Sequence, residues 1–319
     1  MKSACNPSDT NEYQQKPKGK FFILGVGAQK AGTTWLESQL SKTDFFSNSG
    51  IKEFHVFDKL LISPENTKLT KKFDIDKHIE RRFKRGKTPL IHPLTGMRIS
   101  PSTYFDFFDY LYLKNPSITH VGDITPSYST LPENLLSAIR DGLTRKGFNI
   151  KVIFLMRDPA ERVWSQLRMR HRYKFERTKH QTKPQEEFTE LQKFYRKKIC
   201  EKRTRYELIS KNIESVFPSS SIFYGFYESI FCEQEFQKLI KFLECPTFNP
   251  DFNHIVHASP KSGNELENFN ELMEEIRSYY SSTYKWAFDK FKHSVPASWK
   301  PPIQNQPTSQ DLLLCSEKP

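Results

Sequence analysis

The sequence predicts an α/β protein of three layers, a central and mainly parallel sheet flanked by helices, and three observations carry that prediction. Apolar runs of strand length recur as FFILGV (21–26), SITHVGDI (117–124), KVIFLM (151–156) and SIFYGFY (221–227), largely without the alternation of a half-exposed strand. Helical patterns separate these runs, and strand–helix–strand order implies right-handed crossovers and parallel pairing. The chain of 319 residues contains 27 Phe with 27% charged residues, enough material for one large core.

Taken in order, residues 1–19 form a polar lead expected to lie outside the folded domain, which spans 20–295. The first strand, 21–26, passes through GVGAQKAGTT into a helix that sets Trp35, Leu36 and Leu40 at helical spacing. The second, 117–124, is followed by TPSYST. The next helix, LPENLLSAIRDGL, opens with Pro132 and places Leu135, Leu136, Ile139 and Leu143 on one face. The third, 151–156, runs into RDPAERVWSQLRMRHRY, again helical in pattern. TRYELISKNIESVF is a helix with Ile209, Ile213 and Val216 along one side, and the strand 221–227 leads to the helical EQEFQKLIKFL. A proline-rich tail, 296–319, closes the chain. In parallel sheets ligands sit beyond the carboxyl ends of the strands, so the Gly-Lys loop, TPSY and RDP should gather at one edge.

Charge narrows the partners. A formal charge of +12, from 49 Lys and Arg against 37 Asp and Glu, favours phosphates, sulfates or other polyanions. Cysteines at 5, 200, 232, 245 and 315 form no C-x-x-C pair and read as free thiols, and HIVH (254–257) lacks a third ligand, so no metal site is expected. The amino terminus carries no apolar signal core and no later segment has membrane-spanning length, which points to a cytoplasmic protein without a membrane span. The basic stretch 167–205 reads mainly as a solvated helical face, with a rim for an anionic acceptor as its functional reading.

The loop GVGAQKAGTT has the chemistry of an anion cradle. Gly25, Gly27 and Gly32 allow a tight turn, the following helix aims its positive end at the same spot, and Lys30, Thr33 and Thr34 add a charge and donors. The fold is thus P-loop-like, but a Walker A loop needs lysine directly after its last glycine. Here the order is G-x-x-K-x-G-T-T. That weakens a P-loop ATP-dependent kinase, which remains one alternative. A non-catalytic polyanion or nucleic-acid binder is the other, disfavoured because the positive charge belongs to no recognisable binding module.

QKAGTTWL resembles the 5′-phosphosulfate-binding loop of sulfotransferases that use 3′-phosphoadenosine 5′-phosphosulfate (PAPS), and further motifs follow in that family's order. KVIFLMRDPAERVWSQ is similar to its 3′-phosphate motif, with Arg157 and Ser165 as the matching residues. KEFHVFD (52–58) and ITPSY (124–128) resemble elements of the heparan-sulfate-type and bacterial branch. TRYELISKNIESVFP resembles the helix whose tyrosine, here Tyr206, helps hold the nucleotide, and HASPKSGNEL (257–266) resembles the late loop over the donor, with Lys261 as the contact. Trp35 stands where cytosolic members stack a tryptophan on adenine; an ordinary core aromatic is the alternative. The resemblance implies donor binding by Gly27, Lys30, Ala31, Gly32, Thr33, Thr34, Trp35, Arg157, Ser165, Tyr206 and Lys261. It implies PAPS as donor, 3′-phosphoadenosine 5′-phosphate (PAP) as product, no metal, no nucleic-acid partner, and a carbohydrate or small-molecule acceptor sulfated on a hydroxyl or amine.

Such a reaction needs a charge near the leaving phosphate and a base near the acceptor. Lys30 suits the first. If KEFHVFD is extended, Glu53, His55 and Phe57 share one face, so Glu53 and His55 are both candidates for the base. Heparan-modifying members place an acid and a lysine just before TPSY, whereas Asp123 and Ile124 stand here. That departure argues against a heparan acceptor, and Asp123 either orients an acceptor hydroxyl or caps the strand edge.

Overall fold

The computed structural model describes residues 19–60, 93–253 and 268–299. Its sheet holds β1 (Phe21–Gly27), β2 (Phe46–Ser47), β3 (His120–Ile124), β4 (Asn149–Met156) and β5 (Ile222–Phe226), in the order β2-β3-β1-β4-β5. Every pairing is parallel. β1 lies at the centre and each of its residues is buried, which explains why FFILGVG has no polar face.

Helices fill the connections. α1 (Thr33–Leu40) follows β1; α2 (Pro93–Ile99) and α3 (Ser102–Lys114) precede β3; α4 (Glu133–Arg145) joins β3 to β4. Between β4 and β5 run α5 (Pro159–Thr178), α6 (Pro184–Phe194), α7 (Lys198–Thr204) and α8 (Tyr206–Glu214), and α9 (Glu233–Leu243), α10 (Phe269–Tyr279) and α11 (Ser281–Phe291) follow β5. α3 packs on β3, α4 on β4 and α9 on β5. Beneath α3, Phe22, Tyr104, Phe108 and Phe148 meet mostly edge to face, and burying one such ring contributes about 2 kcal/mol or more.

Register decides where the site forms. Gly25 pairs with Ile124 and Gly27 with Phe154, so the loops after β1, β3 and β4 leave the same sheet edge. The convergence expected of the three motifs is therefore present. Three expectations need correction. KEFHVFD is not a strand: Glu53 and His55 have left-handed backbones at φ 53 and φ 50, and Phe57 begins a 3-10 turn (Phe57–Lys59) with its ring in the core. Trp35 belongs to the packing, as described below. The 167–205 stretch is three helical pieces, and not all of its cations face solvent. Of the sequence features named above, Lys261 and HIVH lie outside the described residues, as do most of both terminal segments. Among the described residues no helix is long and apolar enough to cross a membrane.

Candidate active site

The loop between β1 and α1 is built to leave backbone donors unused. Gly32 caps α1 with φ 85, a conformation that disfavours any Cβ, and an added Cβ would also lie 3.1 Å from the Tyr227 ring. Gly27 has φ 146, and a Cβ there would press on the Pro126 carbonyl at 3.0 Å. Ala28 N–H donates to the Leu155 carbonyl and Ala31 N–H to that of Ala28. The N–H groups of Gly32, Thr33 and Thr34 take no backbone partner among the described residues, and they lie at the positive end of α1.

Lys30 completes this cradle from a left-handed backbone at φ 74. Burial, followed by the positive charges of Arg172, Arg157, Arg168 and Lys52, lowers its pKa to about 8. Cations crowd this loop. Arg157 comes from the end of β4, while Arg168 and Arg172 lie successive turns along α5, so the helix turns a charged stripe toward the loop. Those two arginines were not singled out by the motifs, because their neighbours in sequence are equally basic, and Lys52 opens KEFHVFD without a role of its own in the sequence reading.

Arg157 is held by its own backbone. The Tyr206 hydroxyl donates to the Arg157 carbonyl at 2.8 Å and accepts the Arg157 N–H at 3.4 Å, and the Tyr206 ring is fully buried. In this structure Tyr206 therefore fixes the Arg157 backbone and has no exposed surface of its own. The guanidinium lies 4.7 Å from the Tyr227 ring centre and 3.3 Å from Glu161 Oε2. Asp158 caps α5 by accepting the Glu161 N–H at 3.0 Å and the Tyr284 hydroxyl at 3.0 Å; burial pushes its pKa up. Ser165 is 4% exposed, two turns into that helix.

Trp35 is not open to a cleft. Its indole is 2% exposed, packs against Phe231, Phe236 and Phe252, and donates to the Asp251 carbonyl at 3.0 Å. The reason is its place on α1: one residue past the Thr33–Thr34 pair, the side chain turns to the side covered by α9.

The segment 53–58 follows Lys52, one of the cations that act on Lys30. His55 Nδ1 is 2.7 Å from Asp58 Oδ2 and His55 Nε2 is 3.1 Å from Glu53 Oε2. Asp58, then Glu53, raise the imidazole pKa to about 9. At neutral pH His55 is thus an imidazolium donating to both carboxylates. Arg98 of α2 holds the backbone from behind, its Nε 2.8 Å from the His55 carbonyl and its Nη2 3.2 Å from that of Phe54. The Tyr128 hydroxyl accepts the Val56 N–H at 3.1 Å, and the Thr125 hydroxyl accepts that of His55 at 3.5 Å. Left-handed conformations at two non-glycine residues cost roughly 1–3 kcal/mol each, and this clamp is what sustains them. TPSY therefore serves as a brace.

Two buried carboxyls complete the floor. Asp123 is fully buried, accepts from the Thr125 hydroxyl at 2.5 Å and the Tyr104 hydroxyl at 3.0 Å, and has its pKa raised to about 6 by burial. Both oxygens are occupied, which favours the capping role over contact with an acceptor. Glu37, on α1 one turn past Thr33, is pushed up to about 7, chiefly by burial, and accepts from Asn48 at 2.9 Å.

Fold and site together fit an α/β enzyme of group transfer, with an anion cradle after β1 and a braced carboxylate in the segment after Lys52. The chain belongs to the sulfotransferase domain family, whose model matches residues 20–309. Among solved structures it is similar to a sulfotransferase from Alicyclobacillus acidocaldarius, at 18% identity over 89% of this chain and 99% of that one, with a TM-score of 0.54. A sulfotransferase domain from the Synechococcus PCC 7002 olefin synthase matches at 17% identity over 88% of this chain and 99% of its own, with a TM-score of 0.44. No curated protein matches the sequence.

Proposed function

We propose that the protein transfers a sulfuryl group from PAPS to a hydroxyl, or by the same chemistry an amine, of a carbohydrate or small-molecule acceptor, releasing PAP. One observation carries the reading: the charged groups that act most on the half-buried Lys30 ammonium are other cations, at a helix end with unused N–H groups. Such a site is built for a polyanion. The glycines support the fit, since a Cβ at Gly27 or Gly32 would crowd the loop, and Arg157 offers a guanidinium fork for a phosphate.

When bound, the donor supplies a phosphate–sulfate anhydride as the bond to be broken. Lys30 and the N–H groups of Gly32, Thr33 and Thr34 take up charge on the phosphate as it departs. Arg157 at the end of β4, with Ser165 of the helix that follows, holds the second phosphate, and Tyr206 fixes Arg157. Glu53 accepts the acceptor's proton. His55 is the weaker choice for that step, because with a pKa of about 9 it already carries a proton at neutral pH. Its part is to hold the Glu53 carboxylate through Oε2.

Calorimetric titration with PAP, and separately with ATP and Mg2+, tests the donor. PAP binding that needs no metal and is lost in Arg157→Ala supports the proposal. Tight ATP–Mg2+ binding with none for PAP overturns it in favour of a kinase.

A further inference from the structure

Arg203 of α7 joins parts of the site that no motif connects. Its Nη1 donates to Gln29 Oε1 at 2.7 Å, and Gln29 is the loop residue next to Lys30. Its Nε is buried and has no partner among the described residues. α7 packs against the turn Pro126–Thr130, whose Tyr128 braces the Glu53–His55 segment. Among the charges that act on the guanidinium are the carboxylates of Asp58 and Glu53. Arg203 thus stands where the phosphate loop meets the proposed base, with hydrogen-bonding capacity unspent. Its neighbour Arg162 has no exposed surface and is engaged with Gln166, Cys200 and Thr204, so it cannot serve there.

Resting on the PAPS reading above, we infer that Arg203 is a further substrate-binding residue whose guanidinium hydrogen-bonds the oxygens of the sulfuryl group between Lys30 and Glu53. In the transfer, the acceptor oxygen forms its bond to sulfur as the bond from sulfur to the phosphate oxygen breaks. The electron pair of that bond leaves on the phosphate oxygen, beside Lys30, and the acceptor proton passes to Glu53. A planar guanidinium held at one nitrogen by Gln29 matches adjacent oxygens of such a group without reorganising. In this arrangement the phosphates of PAP are left to Lys30, the loop N–H groups and Arg157.

The test compares two ligands that differ by the sulfuryl group alone. Calorimetry on Arg203→Gln should show PAPS affinity reduced about tenfold or more, the scale of a lost hydrogen bond to a charged group, with PAP affinity within about twofold of wild type. Arg203→Lys should recover part of the loss, and Gln29→Ala should keep PAPS affinity within about threefold, since Gln29 only steadies the side chain. Equal losses for PAPS and PAP would place Arg203 in loop structure and overturn the inference, as would unchanged PAPS affinity. PAP binding by each variant reports that it is folded. A wild-type protein that binds neither ligand refutes the donor reading itself, and this inference with it.

Discussion

Raising the pH from 7 to 9 should weaken PAP binding through Lys30 alone by about an order of magnitude. The folded, ligand-free protein holds this lysine at about 8, against 10.5 for an ordinary lysine, because burial and four neighbouring cations disfavour another charge. Free Lys30 is then about nine-tenths charged at pH 7 and about one-tenth charged at pH 9, which makes the loss about tenfold if only the ammonium binds. A phosphate bound beside it favours the ammonium, so binding takes up a proton above pH 8. The sign follows: affinity falls as pH rises. Ligand phosphates lose their second proton near pH 6, about one unit or more below this window, and contribute little to it. Calorimetry in two buffers of different ionisation enthalpy measures affinity and proton uptake together. Lys30→Met should bind weakly at pH 7 and lose the step between 7 and 9. A flat wild-type profile, or the same slope in Lys30→Met, would refute the assignment of this charge to the ligand.

Further outcomes follow from the brace and the buried carboxyls. His55 has its pKa raised from 6.5 to about 9, so its pairing with Asp58 and Glu53 is complete below pH 6.5 and is lost as pH rises through 9; turnover should share that alkaline limb, and His55→Asn should lose it with about a tenfold lower rate. Arg98→Gln strands the Phe54 and His55 carbonyls, which should lower stability by about 1–3 kcal/mol in urea melts and reduce turnover while PAP affinity holds. Glu37 has its pKa raised from 4.5 to about 7, so burial of its charge costs stability as pH climbs through that interval; Glu37→Gln, which can still accept from Asn48, should flatten the melting temperature between pH 5 and 8, and parallel profiles would contradict this.

Much of the scaffold was legible because β1 and residues 152–156 of β4 are buried and apolar throughout, and because each run ends in residues that break a strand, such as Gly27 or the Asp158–Pro159 pair. β2 escaped notice: two residues have no period. The segment around Glu53 misled for a subtler reason. Half-buried and buried residues alternate from Glu53 to Val56 as they would in a strand, yet the alternation is produced by left-handed residues clamped by Arg98, Thr125 and Tyr128. Local pattern cannot report a conformation imposed by partners 40 to 75 positions away. The same limit hid Arg98 and Arg203, which come from segments without a motif, and Arg168 and Arg172, which face the loop from a stretch where every turn is basic. Trp35 showed the reverse error, a residue in the right place along the chain whose side chain turns into the core.

In the proposed reaction Glu53 removes a proton while the cradle holds the leaving phosphate. The most direct measurement follows radiolabelled sulfur from PAPS into a panel of monosaccharides, glycosides and phenols, with wild type and Glu53→Gln side by side and PAP affinity measured on both. Labelled product on a hydroxyl acceptor, reduced about a hundredfold or more in Glu53→Gln at unchanged PAP affinity, is the predicted result. Equal transfer by the two proteins, or no labelled product from a wild type offered the whole panel, would contradict it.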